Sequence, residues 1–274
     1  MLNKNNILIK NNKILFLSIP LREHANPSIA LAETLISRGH NCTFGIHKSG
    51  MHWPGEIAGL KVIEDKTQSL LDPGCWSKVS RLTGKNPGFK GEKLMAKLML
   101  PLVQEESYAS IISIIEELKP DLIIAEKTMI PAMDLAVKFN IPYIEVSDLI
   151  SFRAPLLPHL PALSSSRPKF LTFWERFGNY YDLITLFLAY YPFGVLGQII
   201  RMRRKFKIPK IGHHPIKASL SICTSTFGLE LPRPIPPNVL LVGPIFRHTE
   251  ALNETIQHWL DHSEKPVIYI SMGP

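Results

Sequence analysis

The sequence predicts an α/β fold built on a doubly wound parallel sheet. Three observations carry that expectation. Apolar runs of strand length recur at Lys13 to Ile19, Asn41 to Ile46 and Asp121 to Glu126. The stretches between them have helical periodicity and end in turn residues, so strands and helices alternate. The middle of DLIIAE, Asp121 to Glu126, is continuously apolar, which suits a strand covered on both faces.

Lys13 to Ile19 is the first strand. Asn26-Pro27 reads as a helix start, because Asn caps free N–H groups and Pro at the first helical position loses no hydrogen bond. The helix is therefore predicted from Pro27 to Arg38, with Ile29, Ala32, Leu35 and Ile36 on its apolar face and Gly39 ending it before the second strand. His24 then falls in the loop between strand and helix, where open α/β sheets place their ligand crevice. The loop SIPLREHANPS has no glycine, so it lacks the G-x-G-x-x-G backbone that lets a pyrophosphate approach. An imidazole there suits proton transfer from a small-molecule hydroxyl near neutral pH, or else a purely local hydrogen bond.

Gly59 to Ile63 is a further short strand. Asp65 to Gly91, with Trp76 and Phe89 among Gly, Pro, Lys and Ser, reads as a long loop. Glu92 to Leu118 is helical with a break near Pro101, and Asp121 to Glu126, Ile130 to Phe139 and Pro142 to Val146 form a second strand–helix–strand unit. Ser147 to Lys169 is a proline-rich connection. Phe170 to Tyr191 places aromatic residues at helical spacing, a pattern that predicts core packing. Leu183 to Ile200 has no charged side chain and is followed by Arg201, Arg203, Arg204, Lys205 and Lys207. That run has the length of a marginal membrane span, but Pro192, Gly194 and Gly197 interrupt it. The expectation is two buried or interfacial helices, with the arginines available to anionic lipid headgroups. Leu220 to Cys223 and Val239 to Val242 are the last strands of a domain spanning residues 1–245. Residues 246–274 hold a linker, a short helix from Leu252 to Leu260 and the first strand of a second domain.

Composition narrows the function classes. The chain of 274 residues has 31 Lys and Arg against 23 Asp and Glu, and the surplus of +8 is partly concentrated in one segment, unlike a nucleic-acid surface. Cys42, Cys75 and Cys223 form no C-x-x-C pair, and adjacent His213 and His214 do not make a usual chelating face, so no metal is expected. The opening MLNKNNILIKNN lacks a continuous apolar core, which points to a cytoplasmic protein, peripheral on a membrane if the basic segment touches lipid.

Three stretches resemble one family. His24-Ala25-Asn26-Pro27, with Leu31-Ala32 and Arg38-Gly39-His40, is similar to the opening of the family-1 UDP-dependent glycosyltransferases of GT-B fold. KPDLIIAEKTMIPAMDLAVKFNIPYIEV resembles the strand and helix where that family carries an Asp. CTSTFGLELPRPIPPNVLLVGPI, Cys223 to Ile245, resembles the proline-rich run that closes the family's N-terminal domain. The resemblance implies a Rossmann-like acceptor-binding domain, with His24 as general base and a carboxylate orienting its ring. Glu126 stands at the position of the family's Asp, longer by one C–C bond of about 1.5 Å; Asp148 and Glu23 are alternatives. It also implies acceptor contacts from Pro20, Met129, Phe152, Trp174 and Phe177.

The resemblance covers the chain from Lys13 onward but only the first half of the family's architecture. UDP-sugar is implied as a co-substrate of the other half, with no cofactor. The expected function is the N-terminal part of an enzyme that moves a sugar from UDP-sugar to a hydroxyl of a small lipophilic acceptor, inactive by itself. The alternative is an acceptor- or lipid-binding subunit or interaction protein of the same fold that needs a separate donor-binding chain.

Overall fold

The computed structural model describes residues 11–66, 89–148, 159–161, 167, 168, 170–191, 194–209, 220–228, 231–247 and 252–270. Its centre is a seven-stranded parallel sheet: β1 Lys13–Leu17, β2 Asn41–Ile46, β3 Lys61–Glu64, β4 Leu122–Glu126, β5 Tyr143–Ser147, β6 Leu220–Cys223 and β7 Val239–Leu241. The order across the sheet is β3-β2-β1-β4-β5-β6-β7. Successive connections run outward from β1 on one side and from β4 on the other, so the winding reverses between these two strands.

Alternation along β1 assigns the two core layers. Leu15 and Leu17 face one layer with Ile123, Ala125, Tyr108, Ile111 and Leu135. Ile14 and Phe16 face the other, with Phe44, Ile46, Ile124, Ala25 and Ile29. Phe16 and Phe44 stack with ring centroids 5.9 Å apart. Each such fully buried side chain contributes about 1.5–3 kcal/mol relative to exposure, which is why the paired strands read as continuous apolar runs.

Helix α1 spans Arg22–Ser37 and differs from the expected start at Pro27. The extended residue Leu21 caps it through its carbonyl, which accepts from the N–H of His24 at 3.1 Å and of Ala25 at 2.9 Å. Asn26 does not cap: its Oδ1 is buried without a hydrogen-bond partner among the described residues. Ala25 explains the longer helix, since it is fully buried in line with Ile29 and Ala32 and reaches the core only from a helical first turn. Pro27 is tolerated because the carbonyl it leaves unbonded belongs to Glu23, an exposed residue of that turn. Gly39, at φ +87, ends the helix as expected.

The break near Pro101 is a short 3-10 turn, Leu100–Val103, between helices α3 Phe89–Leu98 and α4 Glu105–Leu118; the short α2, His52–Gly55, precedes β3. Helix α5, Ile130–Lys138, links β4 to β5. Helix α6, Phe173–Tyr190, starts with a capping box: Thr172 Oγ1 accepts from Glu175 N–H, and Glu175 Oε2 accepts from Thr172 N–H at 2.7 Å. Its aromatic face corrects the expectation of core packing. Phe173, Trp174, Phe177 and Tyr181 are exposed, and Asn179 and Ala189 are the residues it buries. The small and polar side of α6 is turned inward, where Asn179 donates to the Leu160 carbonyl at 2.7 Å.

Helix α7, Val195–Lys205, follows at an angle of 45° to α6. No single helix among the described residues is long and apolar enough to cross a membrane. Arg203 is held by Asp134, with Nη2 2.8 Å from Oδ1, and Asp134 also accepts from Tyr108 Oη at 2.7 Å. This arginine therefore belongs to the packing and is not offered to lipid. Helix α8, Glu254–Asp261, overlaps the expected short helix from Leu252 to Leu260, and after it Ile268, Tyr269 and Ile270 are exposed, with no strand pairing of 265–270 among the described residues. Phe152, Cys75, His213, His214, Met272 and most of the long loop after Asp65 lie outside the described residues.

Candidate functional site

The site follows from the reversal of winding. Where α/β connections leave in opposite directions, the carboxyl ends of the two central strands form an open crevice. Here those strands are β1 and β4, paired at Leu17 with Ala125. The loop after β1 leads into α1, whose first turn carries His24, and the last residue of β4 is Glu126.

The two side chains meet. His24 Nδ1 lies 3.0 Å from Glu126 Oε1. Glu126 is 3% exposed and His24 16%, so the carboxylate is enclosed and the ring reaches solvent. An ionised carboxylate only accepts, so against it Nδ1 is the donor. Glu126 Oε2 accepts from Thr128 N–H at 2.9 Å and from the Thr128 hydroxyl. The strand-end carboxylate thus ties down the turn before α5 and contacts the imidazole with separate oxygens. Its extra methylene does not prevent the 3.0 Å contact.

The other candidate carboxylates are elsewhere. Asp148 is paired with Lys127, and Glu23 is an exposed neighbour on α1. Pro20 is buried in the loop after β1, and Met129 is a core residue whose N–H donates to the Glu126 carbonyl at 2.8 Å. Both lie at the carboxyl end of the sheet, beneath its surface. Trp174 and Phe177 sit on the outward face of α6. A strand-end carboxylate at Glu126 also suits the free N–H groups of the helix start around Thr128 to Pro131 on sequence grounds, and the bond from Thr128 N–H is of that kind, whereas the Thr128 hydroxyl was not expected to take part. The one available signal was a hydroxyl residue two positions after a strand-end acid, a spacing that favours local side-chain to backbone bonds.

Two further features lie away from the pair. A cavity of about 270 Å³ is lined by Lys13, Asn41, Thr43, Lys61, Glu117 and Pro120, at the amino ends of the strands. Ligands of open α/β sheets bind at the opposite end, so the crevice at His24 has the stronger claim. Among the described residues no group of three or more His, Cys, Asp or Glu is placed to hold a metal ion. Cys42 and Cys223 are buried, and burial pushes the Cys42 thiol up to about 11.

No family model matches the chain. Among curated proteins it is 24% identical over 274 residues to the UDP-glycosyltransferase stmC of Aspergillus ustus, covering 91% of this chain and 48% of the relative. A UDP-glycosyltransferase of Talaromyces amestolkiae is 21% identical over 269 residues, with 91% and 49% covered. The chain spans about half the length of these relatives.

Among solved structures, the spinosyn forosaminyltransferase SpnP superposes with a TM-score of 0.54 at 15% identity, covering 90% of this chain and 55% of that one. The glycosyltransferase SnogD from Streptomyces nogalater gives 0.53 at 14% identity, with 93% and 56% covered. These likenesses concern the fold, and they too take in about half of each partner. The likeness in sequence is to about half of each of these UDP-glycosyltransferases and the likeness in fold to about half of the solved glycosyltransferases, and together they support the N-terminal half of a family-1 UDP-glycosyltransferase of GT-B fold as what this chain resembles.

Proposed function

We propose that this chain is the acceptor-binding half of a UDP-glycosyltransferase, with His24 as the general base and Glu126 as the group that orients it. The observation that carries the reading is the 3.0 Å contact from His24 Nδ1 to Glu126 Oε1 at the reversal of the sheet, which leaves Nε2 open. An acceptor hydroxyl over the ends of β1 and β4 would donate its proton to Nε2. Its oxygen would bond to the anomeric carbon as the bond from that carbon to the diphosphate breaks, and UDP would depart with the electron pair. The imidazolium so formed is balanced by the Glu126 carboxylate beside it.

The UDP-sugar is a co-substrate whose site we assign to the part of the relatives that this chain does not span. In-line placement of donor and acceptor requires that part. The chain alone is therefore expected to bind an acceptor and transfer nothing.

A second reading draws on the half-length match: the chain serves as an acceptor- or lipid-binding subunit and a separate chain supplies the donor site. One chimera tests the principal reading. This chain is completed with the C-terminal half of the Aspergillus ustus relative, and UDP-sugar turnover is followed over a panel of hydroxyl acceptors. His24→Ala is expected to lower turnover about 10²–10⁴-fold. Undiminished transfer by that variant would remove His24 from the chemistry.

A further inference from the structure

Helix α6 is polarised the wrong way round for a core element. Trp174, Phe177, Tyr181, Ile184 and Leu188 recur every three or four residues and, with Phe173 beside Trp174, form one outward stripe. Trp174 is 78% and Tyr181 66% exposed. The stripe runs along about 22 Å of helix, at 1.5 Å per residue. Helix α6 packs on α3, its opposite side buries Asn179 and Ala189, and Gly178 lies against Arg167. A helix that buries its small residues and presents its large ones is shaped for a surface outside the chain.

Charge indicates what that surface is. Between Phe170 and Lys207 there are six cations, Arg176, Arg201, Arg203, Arg204, Lys205 and Lys207, against two carboxylates, Glu175 and Asp182. This short segment thus carries half of the chain's surplus of +8. Both carboxylates are engaged, Glu175 in the cap at Thr172 and Asp182 by Arg167 at 2.6 Å. Arg203 and Lys205 have acidic partners in Asp134 and Glu105. Arg176, Arg201, Arg204 and Lys207 remain exposed, and on α7 the exposed Leu196 and Ile200 precede the last three.

We propose that the outward faces of α6 and α7 dock on a bilayer surface containing anionic lipid, the aromatic stripe entering the headgroup layer and the four exposed cations contacting phosphate and carboxylate groups. Trp and Tyr rings favour that layer, and basic residues beside them add attraction to anionic lipid. A second copy of the chain fits less well. Pairing through the same patch would set these cations against their equivalents. The inference is independent of the role given to His24.

The test is co-sedimentation of the whole chain with vesicles of phosphatidylcholine alone or mixed with phosphatidylserine. The expected result is binding to the mixed vesicles that weakens as salt is added. Trp174→Ser/Phe177→Ser and Arg201→Gln/Arg204→Gln are each expected to weaken it about tenfold or more, since each alters groups that contact lipid and not the core. Thermal melts should show both variants folded. Equal binding to both vesicle types, absence of binding, or variants that bind like the parent would overturn the proposal. A concentration-dependent dimer abolished by Trp174→Ser/Phe177→Ser, with no vesicle binding, would assign the face to a second copy instead.

Discussion

His24 and Glu126 are 102 residues apart in the chain and 3.0 Å apart in space, joined by the neighbouring ends of β1 and β4. One oxygen of the buried carboxylate faces the ring and the other is held by Thr128. That division of labour makes the imidazole tautomer the first thing to measure. The Nδ1–H form should dominate in ¹⁵N spectra of the chain.

Glu126→Gln removes the charge and places an amide where the Thr128 N–H and hydroxyl need an acceptor. If the amide turns its NH₂ toward those donors, the contacts from Thr128 are lost; if it presents the NH₂ to Nδ1, that nitrogen must accept and the ring hydrogen moves to Nε2. The expected outcome is loss of the dominant Nδ1–H signature and, in the completed chimera, a fall in kcat/KM of about 10²-fold or more. Glu126→Asp retracts the carboxylate by about 1.5 Å and should fail in the same direction. Parent-like spectra and rates in both variants would show that the contact does not orient the ring.

Thr128 makes a separable prediction. Thr128→Val keeps the volume and the backbone N–H but deletes the hydroxyl that holds Glu126 Oε2, whereas Thr128→Ser keeps that hydroxyl. The valine variant should lower the Nδ1–H population at His24 and reduce turnover about tenfold, as expected for one hydrogen bond to a charged group. The serine variant should restore both. If valine leaves the spectrum unchanged while Glu126→Gln alters it, the carboxylate positions the ring without help from Thr128.

The sheet was legible because strands covered on both faces must be apolar throughout, and β1 and β4 show that directly. The start of α1 was not. Asn26-Pro27 satisfies every local rule for a helix start, yet burying Ala25 beside Ile29 outweighs those rules and winds the helix back to Arg22. Periodicity also announced α6 but turned its aromatic side inward, whereas the structure exposes that side. The residues it buries are Asn179 and Ala189, which carry little hydrophobic signal. At the site, His24 and Glu126 stand out by position, whereas Thr128 acts through a two-residue turn that leaves no periodic trace.

Cys42 gives a pH prediction of definite sign. Burial in β2 raises its thiol from 9.0 to about 11 in the folded state, while the unfolded chain exposes it. The stabilisation is fully present below pH 9 and is lost as pH rises through about 11, because the unfolded chain releases the proton first. The loss over this window is about 2–3 kcal/mol. Urea unfolding at increasing alkalinity should show a steeper decline for the parent than for Cys42→Ala. Equal slopes would mean that the thiol ionises equally well in both states.

The buried Asp134 makes the strongest stability prediction. It accepts from Tyr108 Oη at 2.7 Å and from the Arg203 fork at 2.8–3.0 Å, joining α4, α5 and α7 through one carboxylate. Phe206, just after α7, stacks on Tyr108 at 4.9 Å. Arg203→Met leaves a charge with no countercharge inside that junction and should destabilise the protein by about 3 kcal/mol or more. Tyr108→Phe removes one hydrogen bond and leaves the ion pair, so about 1–2 kcal/mol is expected. Because the penalty for Arg203→Met lies in the abandoned charge, the double variant Arg203→Met/Asp134→Leu should recover most of it. Urea midpoints at neutral pH distinguish the outcomes. A double variant no more stable than Arg203→Met alone would mean that the arginine anchors α7 by its packing, and that the Asp134 charge is a minor part of the junction.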